Sequence, residues 1–213
     1  MQQLKALADP DVLKSQAHFG ITAGRPLGIA LPKLRALAKG LRDHDLAQKL
    51  WASGIHEAHI LASLVDDPRL VTREQMDAWV KDFDSWDVCD QVCDNLFCYT
   101  DFAVDAARDW VQQDEEFVRR AGFVMMTMMS WKRDDLPDEL VLEFLDTIKR
   151  YANDDRNFVK KAANWALRRI AKRNERLFEA AVTTAKELQQ SESSSARWIA
   201  NDALREFAKP SKS

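Results

Sequence analysis

The segment around Trp86 and Asp90 contains residue types that could stabilise a positive charge during a reaction. The two residues are four apart, so their side chains share one face if the segment is helical. A carboxylate beside an exposed indole can stabilise a cation that develops as a bond breaks. On spacing alone, the alternative is that Asp87 or Asp90 caps or salt-bridges the start of a helix.

A second candidate surface lies on the segment that begins at Phe158. Apolar residues recur there at intervals of four, three and four, which predicts a helix with a buried stripe formed by Val159, Ala163, Ala166 and Ile170. Trp165 falls off this stripe, and the residues on its own face are Lys161, Arg168 and Lys172. An indole among cations is typical of a surface that contacts both phosphates and sugars or bases.

Basic residues dominate the chain from Arg156 to Arg176, with eight cations against the single acid Glu175. The whole chain carries a net charge of −3, so nothing global attracts it to a polyanion. This local excess of positive charge therefore predicts a polyanion site, and the alternative is an ordinary solvated helix face.

The elements that must position these residues are all predicted to be helices. Glycine and proline together number only 12 of 213 residues, and no convincing alternation of polarity appears. Thr72 with Gln75 forms a capping-box pattern, proline opens segments at Pro10, Pro32 and Pro137, and Asp84 could cap the segment after it. The sequence predicts an all-α chain.

An internal repeat predicts how the helices are arranged. The motif that begins at Phe117 returns 41 residues later at Phe158, and a period near 40 residues indicates HEAT-like helix pairs stacked in a solenoid with a concave basic face. Arg120 is then equivalent to Lys161, and both are expected on one surface. We expect a single repeat domain over residues 1–208 with a frayed tail at 209–213; the alternative is an ordinary helical bundle.

Other sequence features exclude several classes of site. No run approaches 18 apolar residues, no signal-peptide pattern opens the chain, and three cysteines make no disulfide framework, so we expect a cytoplasmic protein that does not enter membranes. The cysteine spacings fit no common zinc pattern, so no metal is expected and these residues are interpreted as core. His56 and His59 are expected on a polar helix face. Four methionines between residues 125 and 129 are interpreted as core filler.

Three motifs, taken in order, resemble the AlkD-like DNA alkylation repair family of HEAT-like repeat DNA glycosylases. They are the segment from Trp86 to Asp90, the segment from Phe117 to Gly122, and the segment from Phe158 to Lys172. The resemblance runs from about Gly28 to Lys172. It implies hydrolysis of the N-glycosidic bond of N3- or N7-alkylated purines in duplex DNA, without metal or cofactor.

The resemblance also implies roles for individual residues. Asp90 would be the catalytic carboxylate, Trp86 and Trp165 would pack on the deoxyribose, and Arg120 would hold the DNA backbone. Further DNA contacts are expected from the basic segment, at Arg156, Lys161, Arg168 and Lys172. Alkylated or distorted double-stranded DNA is the expected partner of a chain expected to be monomeric. The alternatives are a non-catalytic binder of distorted or branched DNA and a protein–protein scaffold.

Overall fold

The computed structural model describes residues 2–22 and 24–209, and every regular element within them is a helix. The all-α prediction is confirmed for this part of the chain. The end of the predicted tail, residues 210–213, lies outside the described residues. The chain divides into two compact units, Met1–Ala103 and Val104–Ser213, which are described separately.

The first unit is built around helix α5. Its described residues form α1 (Gln2–Lys5), α2 (Pro10–His18), α3 (Leu31–Ala38), α4 (His44–Trp51), α5 (His56–Val65), α6 (Arg73–Trp79) and α7 (Trp86–Asn95). Short 3-10 turns follow α6 and α7, at Val80–Asp82 and Phe97–Tyr99. Helix α5 packs against α3, α4 and α7. If α4 with α5 and α6 with α7 are taken as successive pairs, their second helices, α5 and α7, lie side by side.

The helix starts of the first unit follow the sequence signals with one exception. Pro10 opens α2 after the N-cap Asp9, and the Thr72 hydroxyl accepts a hydrogen bond from the Gln75 amide at 3.2 Å. The exception is α7, where the N-cap is Ser85 rather than Asp84, and the Ser85 side chain makes no capping hydrogen bond. The prediction that Asp84 caps this helix was therefore wrong.

The second unit repeats one helix pair along the chain. Its elements are α8 (Ala103–Trp110, beginning at the last residue of the first unit), α9 (Glu116–Lys132), α10 (Asp138–Tyr151), α11 (Asn157–Ile170), α12 (Glu175–Gln189) and α13 (Ser194–Phe207). Helix α11 packs between α9 and α13, and α10 packs against α12. The equivalent residues Phe117 and Phe158 touch, with ring centroids 5.5 Å apart, so the two copies of the motif lie side by side.

Each unit has its own apolar core. In the first, the Trp51 ring stacks on Trp79 at 3.9 Å, and its Nε1 donates to the Asp82 carboxylate at 2.8 Å. Cys89, Cys93 and Cys98 are buried, as expected of core residues. In the second, the four methionines of α9 are buried, which confirms their interpretation as core filler.

Candidate functional site

The candidate surface of the first unit is the side of α7 that carries Trp86 and Asp90. Trp86 is the first residue of this helix, and Asp90 lies one turn further along the same face. Both side chains are half-buried. The Trp86 indole Nε1 donates a hydrogen bond of 3.0 Å to the carbonyl oxygen of Phe19, which follows α2. The indole edge is thereby anchored to another segment of the same unit.

A buried histidine supports the start of α7. His56 is only 2% exposed, and its Nε2 lies 2.8 Å from the Asp87 carboxylate, next to Trp86 in the chain. Burial lowers the pKa of His56, but the hydrogen bond and charge of Asp87, together with the charges of Glu57 and Asp84, outweigh it, so the pKa is raised overall. The prediction that His56 and His59 line a polar helix face was wrong, since His56 is buried and His59 stacks on Trp51 at 4.1 Å.

A buried carboxylate organises the segment that leads into α3. Glu57 is inaccessible to solvent and accepts hydrogen bonds from the amides of Leu27, Gly28 and Ile29 at 2.8, 2.9 and 3.1 Å. The Gln16 side chain donates a further one at 3.2 Å. The sequence analysis missed this arrangement because the amides lie 28 to 30 residues before Glu57.

The candidate surface of the second unit is the face of α11 that carries Trp165. The predicted apolar stripe of this helix is buried throughout, and Trp165 lies off it and is half-buried. Of the cations on the same face, Lys161 and Lys172 are exposed and Arg168 is half-buried. The predicted separation of a core stripe from a basic aromatic face is therefore confirmed for α11.

Two of these cations share one carboxylate on α13. Arg168 Nη1 and Lys172 Nζ each lie 2.5 Å from an oxygen of Glu206. Burial raises the pKa of the Glu206 carboxyl, but the hydrogen bonds from Lys172 and Arg168 are stronger effects together, and the pKa is lowered overall. Glu206 therefore neutralises part of the positive charge that the sequence assigns to this face.

Arg156 is held just before α11. Its guanidinium bonds both oxygens of Asp154, at 3.0 and 2.5 Å, and the Asp114 carbonyl at 2.5 Å. Arg119 donates to the same Asp154 at 2.7 Å. Although burial raises the pKa of Asp154, the two arginines bring it down to about 2. The role of Arg156 in DNA contact stays a prediction, but its side chain already has internal partners.

Arg120 does not share a surface with Lys161. Its side chain is 6% exposed, and its Nη1 donates a 2.6 Å hydrogen bond to the carbonyl of Phe158 at the start of α11. Lys161 is exposed. The expectation that the two equivalent residues point to one surface was wrong, because Arg120 links α9 to α11. Its proposed contact with the DNA backbone stays a prediction.

Within residues 2–22 and 24–209, no group of three or more histidine, cysteine or acidic side chains is arranged to hold a metal ion. None of the helices there is long and apolar enough to cross a membrane.

Comparison with known proteins defines the class. The fold matches a solved structure described as "a new family of proteins related to the HEAT-like repeat DNA glycosylases with affinity for branched DNA structures". The TM-score is 0.79 and the identity 22%, over 97% of this chain and 93% of that one. No curated protein matches significantly. The chain therefore has the fold of a HEAT-like helical-repeat protein.

The sequence places the chain more narrowly within this class. Residues 1–207 match the family described as DNA alkylation repair enzyme. The chain belongs to this family, as its three motifs indicate.

Proposed function

We propose that this protein is a monofunctional DNA glycosylase that releases N3- or N7-alkylated purines from duplex DNA. The observation that carries the proposal is the pair Trp86 and Asp90, half-buried and one turn apart on α7, in a chain of the DNA alkylation repair enzyme family. DNA binding is part of the same proposal.

The proposed chemistry uses charge that the lesion itself creates. Alkylation at N3 or N7 makes the purine cationic, so it leaves readily and positive charge builds on the deoxyribose as the glycosidic bond breaks. The ionised Asp90 carboxylate stabilises this oxocarbenium-like transition state and orients the attacking water, while the faces of Trp86 and Trp165 interact with the charged sugar. The products are the free base and an abasic site.

The surroundings of Trp86 support this assignment. The Phe19 carbonyl holds the indole nitrogen, and the buried His56 holds Asp87 in the first turn of the helix. A preorganised charge acts on a transition state without first reorienting, so both supports serve the proposed chemistry. In the second unit, Lys161, Arg168 and Lys172 are the proposed contacts to DNA phosphates, with Arg156 and Arg120.

The test is release of 7-methylguanine and 3-methyladenine from alkylated duplex DNA, measured by chromatography of the freed bases. Asp90→Asn keeps the shape of the side chain but removes its charge, and we expect single-turnover release to fall by at least about a hundredfold. Asp101→Asn, on an exposed residue of the same unit, is the matched control and should release bases at the wild-type rate. Wild-type release by Asp90→Asn would contradict the proposal.

A second candidate is binding of branched DNA without catalysis. It is favoured by the similarity in fold to the protein described as having affinity for branched DNA structures. The two candidates separate in one experiment, in which the wild-type chain is assayed for base release and for binding to a four-way junction and a matched linear duplex. Tight junction binding with no base release would favour the second candidate.

A further inference from the structure

A small cavity lies in the second unit where the end of α9 meets the end of α11. Its volume is about 150 Å³, and its lining residues are Ser130, Trp131, Asp134, Arg169, Lys172 and Arg173. Three of these carry positive charge and one carries negative charge. The cavity is next to the basic aromatic face of α11, because Arg169 follows Trp165 by one turn.

Arg169 differs from the other arginines of this segment in having no acceptor. Arg168 binds Glu206, and Arg173 donates to carbonyls at the end of α9, including that of Leu136 at 2.8 Å. The Arg169 guanidinium makes no hydrogen bond or ion pair with the described residues, and its Nε is buried without an acceptor. Burial lowers its pKa, as expected of a guanidinium that loses water without gaining an anion.

Ser130 adds a second polar group with no partner. The residue is 4% exposed, and its hydroxyl oxygen is buried without a hydrogen bond to any described residue. A buried hydroxyl normally bonds a nearby carbonyl, because leaving it unpaired destabilises the fold. A hydroxyl and a guanidinium that both lack hydrogen-bond partners and line one cavity suit an anion with several oxygens.

Trp131 supplies an apolar surface beside these donors. Its side chain is exposed although tryptophan usually seeks the core, with 52% of its surface accessible. The Arg169 guanidinium lies 3.7 Å from the centre of the indole ring. This contact orients the ring, and stacking of an aromatic side chain on a sugar or base is a common way to bind a nucleic acid strand.

We propose that this cavity binds a phosphodiester group of a DNA strand, with Arg169 and Ser130 donating to its oxygens and Trp131 packing on the adjoining sugar or base. The inference rests on the proposed function, since it requires that the chain bind DNA. It adds Ser130, Trp131 and Arg169 to the residues already proposed to contact DNA. Lys172 and Arg173 contribute positive charge to the same cavity.

The test measures binding of the full chain to a fluorescein-labelled unmodified duplex by anisotropy over a range of KCl concentrations. Arg169→Ala should weaken binding about fivefold and reduce the slope of log affinity against log salt by about one. Trp131→Ala should weaken binding at least about fivefold with little change in slope, because stacking depends weakly on salt. The matched control is Arg108→Ala on α8, whose arginine pairs with Glu143 outside the basic segment, and it should bind as the wild type does.

Ser130→Ala separates a binding role from a structural one. It removes only a hydroxyl that has no partner, so stability against urea should be unchanged or higher. If the hydroxyl binds a phosphate, the affinity for the duplex should still fall about threefold, because one hydrogen bond to a charged group is lost.

The outcomes also distinguish a strand phosphate from a free one. The Nε–H signal of Arg169, assigned by its loss in Arg169→Lys, should shift in nuclear magnetic resonance spectra on addition of the duplex. A shift with inorganic phosphate but none with the duplex would overturn the proposal, as would duplex binding that is unchanged in both Arg169→Ala and Ser130→Ala. A wild-type chain that binds no DNA would overturn the proposed function and this inference together.

Discussion

At the scale of single residues, the pair of His56 and Asp87 links the buried interior of the first unit to the helix turn that carries the half-buried Trp86. The histidine is buried and the carboxylate 2.8 Å away is partly accessible, so the ionised pair is shielded from water on one side. Asp87 is next to Trp86, which is a proposed site residue. Neither His56 nor Asp87 is proposed to contact the DNA. The link can be tested through stability.

We predict that this pair makes the stability of the protein depend on pH. The pKa of His56 is raised above 6.5 in the folded state. The ionised pair therefore stabilises the fold fully below about pH 6.5, and this contribution is lost as the pH rises through the folded value. The free energy of unfolding, measured in urea between about pH 5.5 and 8.5, should show this loss.

Asp87→Asn provides the comparison, because it removes the charge that raises the pKa. The difference in unfolding free energy between wild type and variant should be largest at the acidic end and shrink toward alkaline pH. A comparison of variants is needed since burial lowers the pKa of His59, which acts with the opposite sign. A difference that stays constant with pH would contradict the prediction.

At the scale of elements, buried hydrogen bonds join segments of the chain whose contact the helical periodicity does not predict. The Glu57 carboxylate at the start of α5 accepts the three consecutive amides before α3. A charged acceptor is stronger than a neutral one, and burial makes the loss of such an acceptor costly. The carboxylate thereby anchors an irregular segment to a helix of the core.

We predict that Glu57→Gln destabilises the first unit by about 3 kcal/mol, because an amide places N–H groups where three backbone donors need acceptors. Urea unfolding followed by circular dichroism measures this change. Glu74→Gln, on an exposed residue in the first turn of α6, is the matched control and should change stability by less than about 0.5 kcal/mol. Equal stability of the two variants would contradict the prediction, because it would mean that the three backbone amides do not depend on the Glu57 carboxylate.

At the scale of the whole molecule, the net charge of −3 requires any affinity for DNA to come from local positive charge. Acids from neighbouring helices reduce that charge, and Glu206 is the clearest case because it binds both Arg168 and Lys172. The number of cations in the sequence therefore overstates the number available to phosphates.

We predict that Glu206→Gln strengthens binding to duplex DNA, since it frees Arg168 and Lys172 for phosphates. Affinity at low salt should rise about fivefold, and the slope of log affinity against log salt should steepen by about one. Anisotropy titrations measure both quantities. Glu143→Gln makes the same charge change where Arg108 is paired, outside the basic segment, and should alter affinity by less than about twofold. A similar gain in both variants would indicate a general effect of charge.

The helices, their repeat and the basic face of α11 could be predicted from the sequence. These features depend on residues three to four apart or on a motif that returns after 41 residues, and local periodicity records both. The half-burial of Trp165 off the apolar stripe follows from the same periodicity. The cap of α7 was misassigned because Asp84 and Ser85 are adjacent and both suit the position.

Only the tertiary structure decided which charged residues have partners. The Arg120 guanidinium donates to the Phe158 carbonyl, and the Arg168 guanidinium donates to Glu206. In each pair the two residues are 38 positions apart in the chain. His56 pairs with Asp87, which lies 31 residues later in the chain. These residues meet because their helices pack side by side. The spacing of residues along the chain does not predict such pairs, because the two partners lie on different helices.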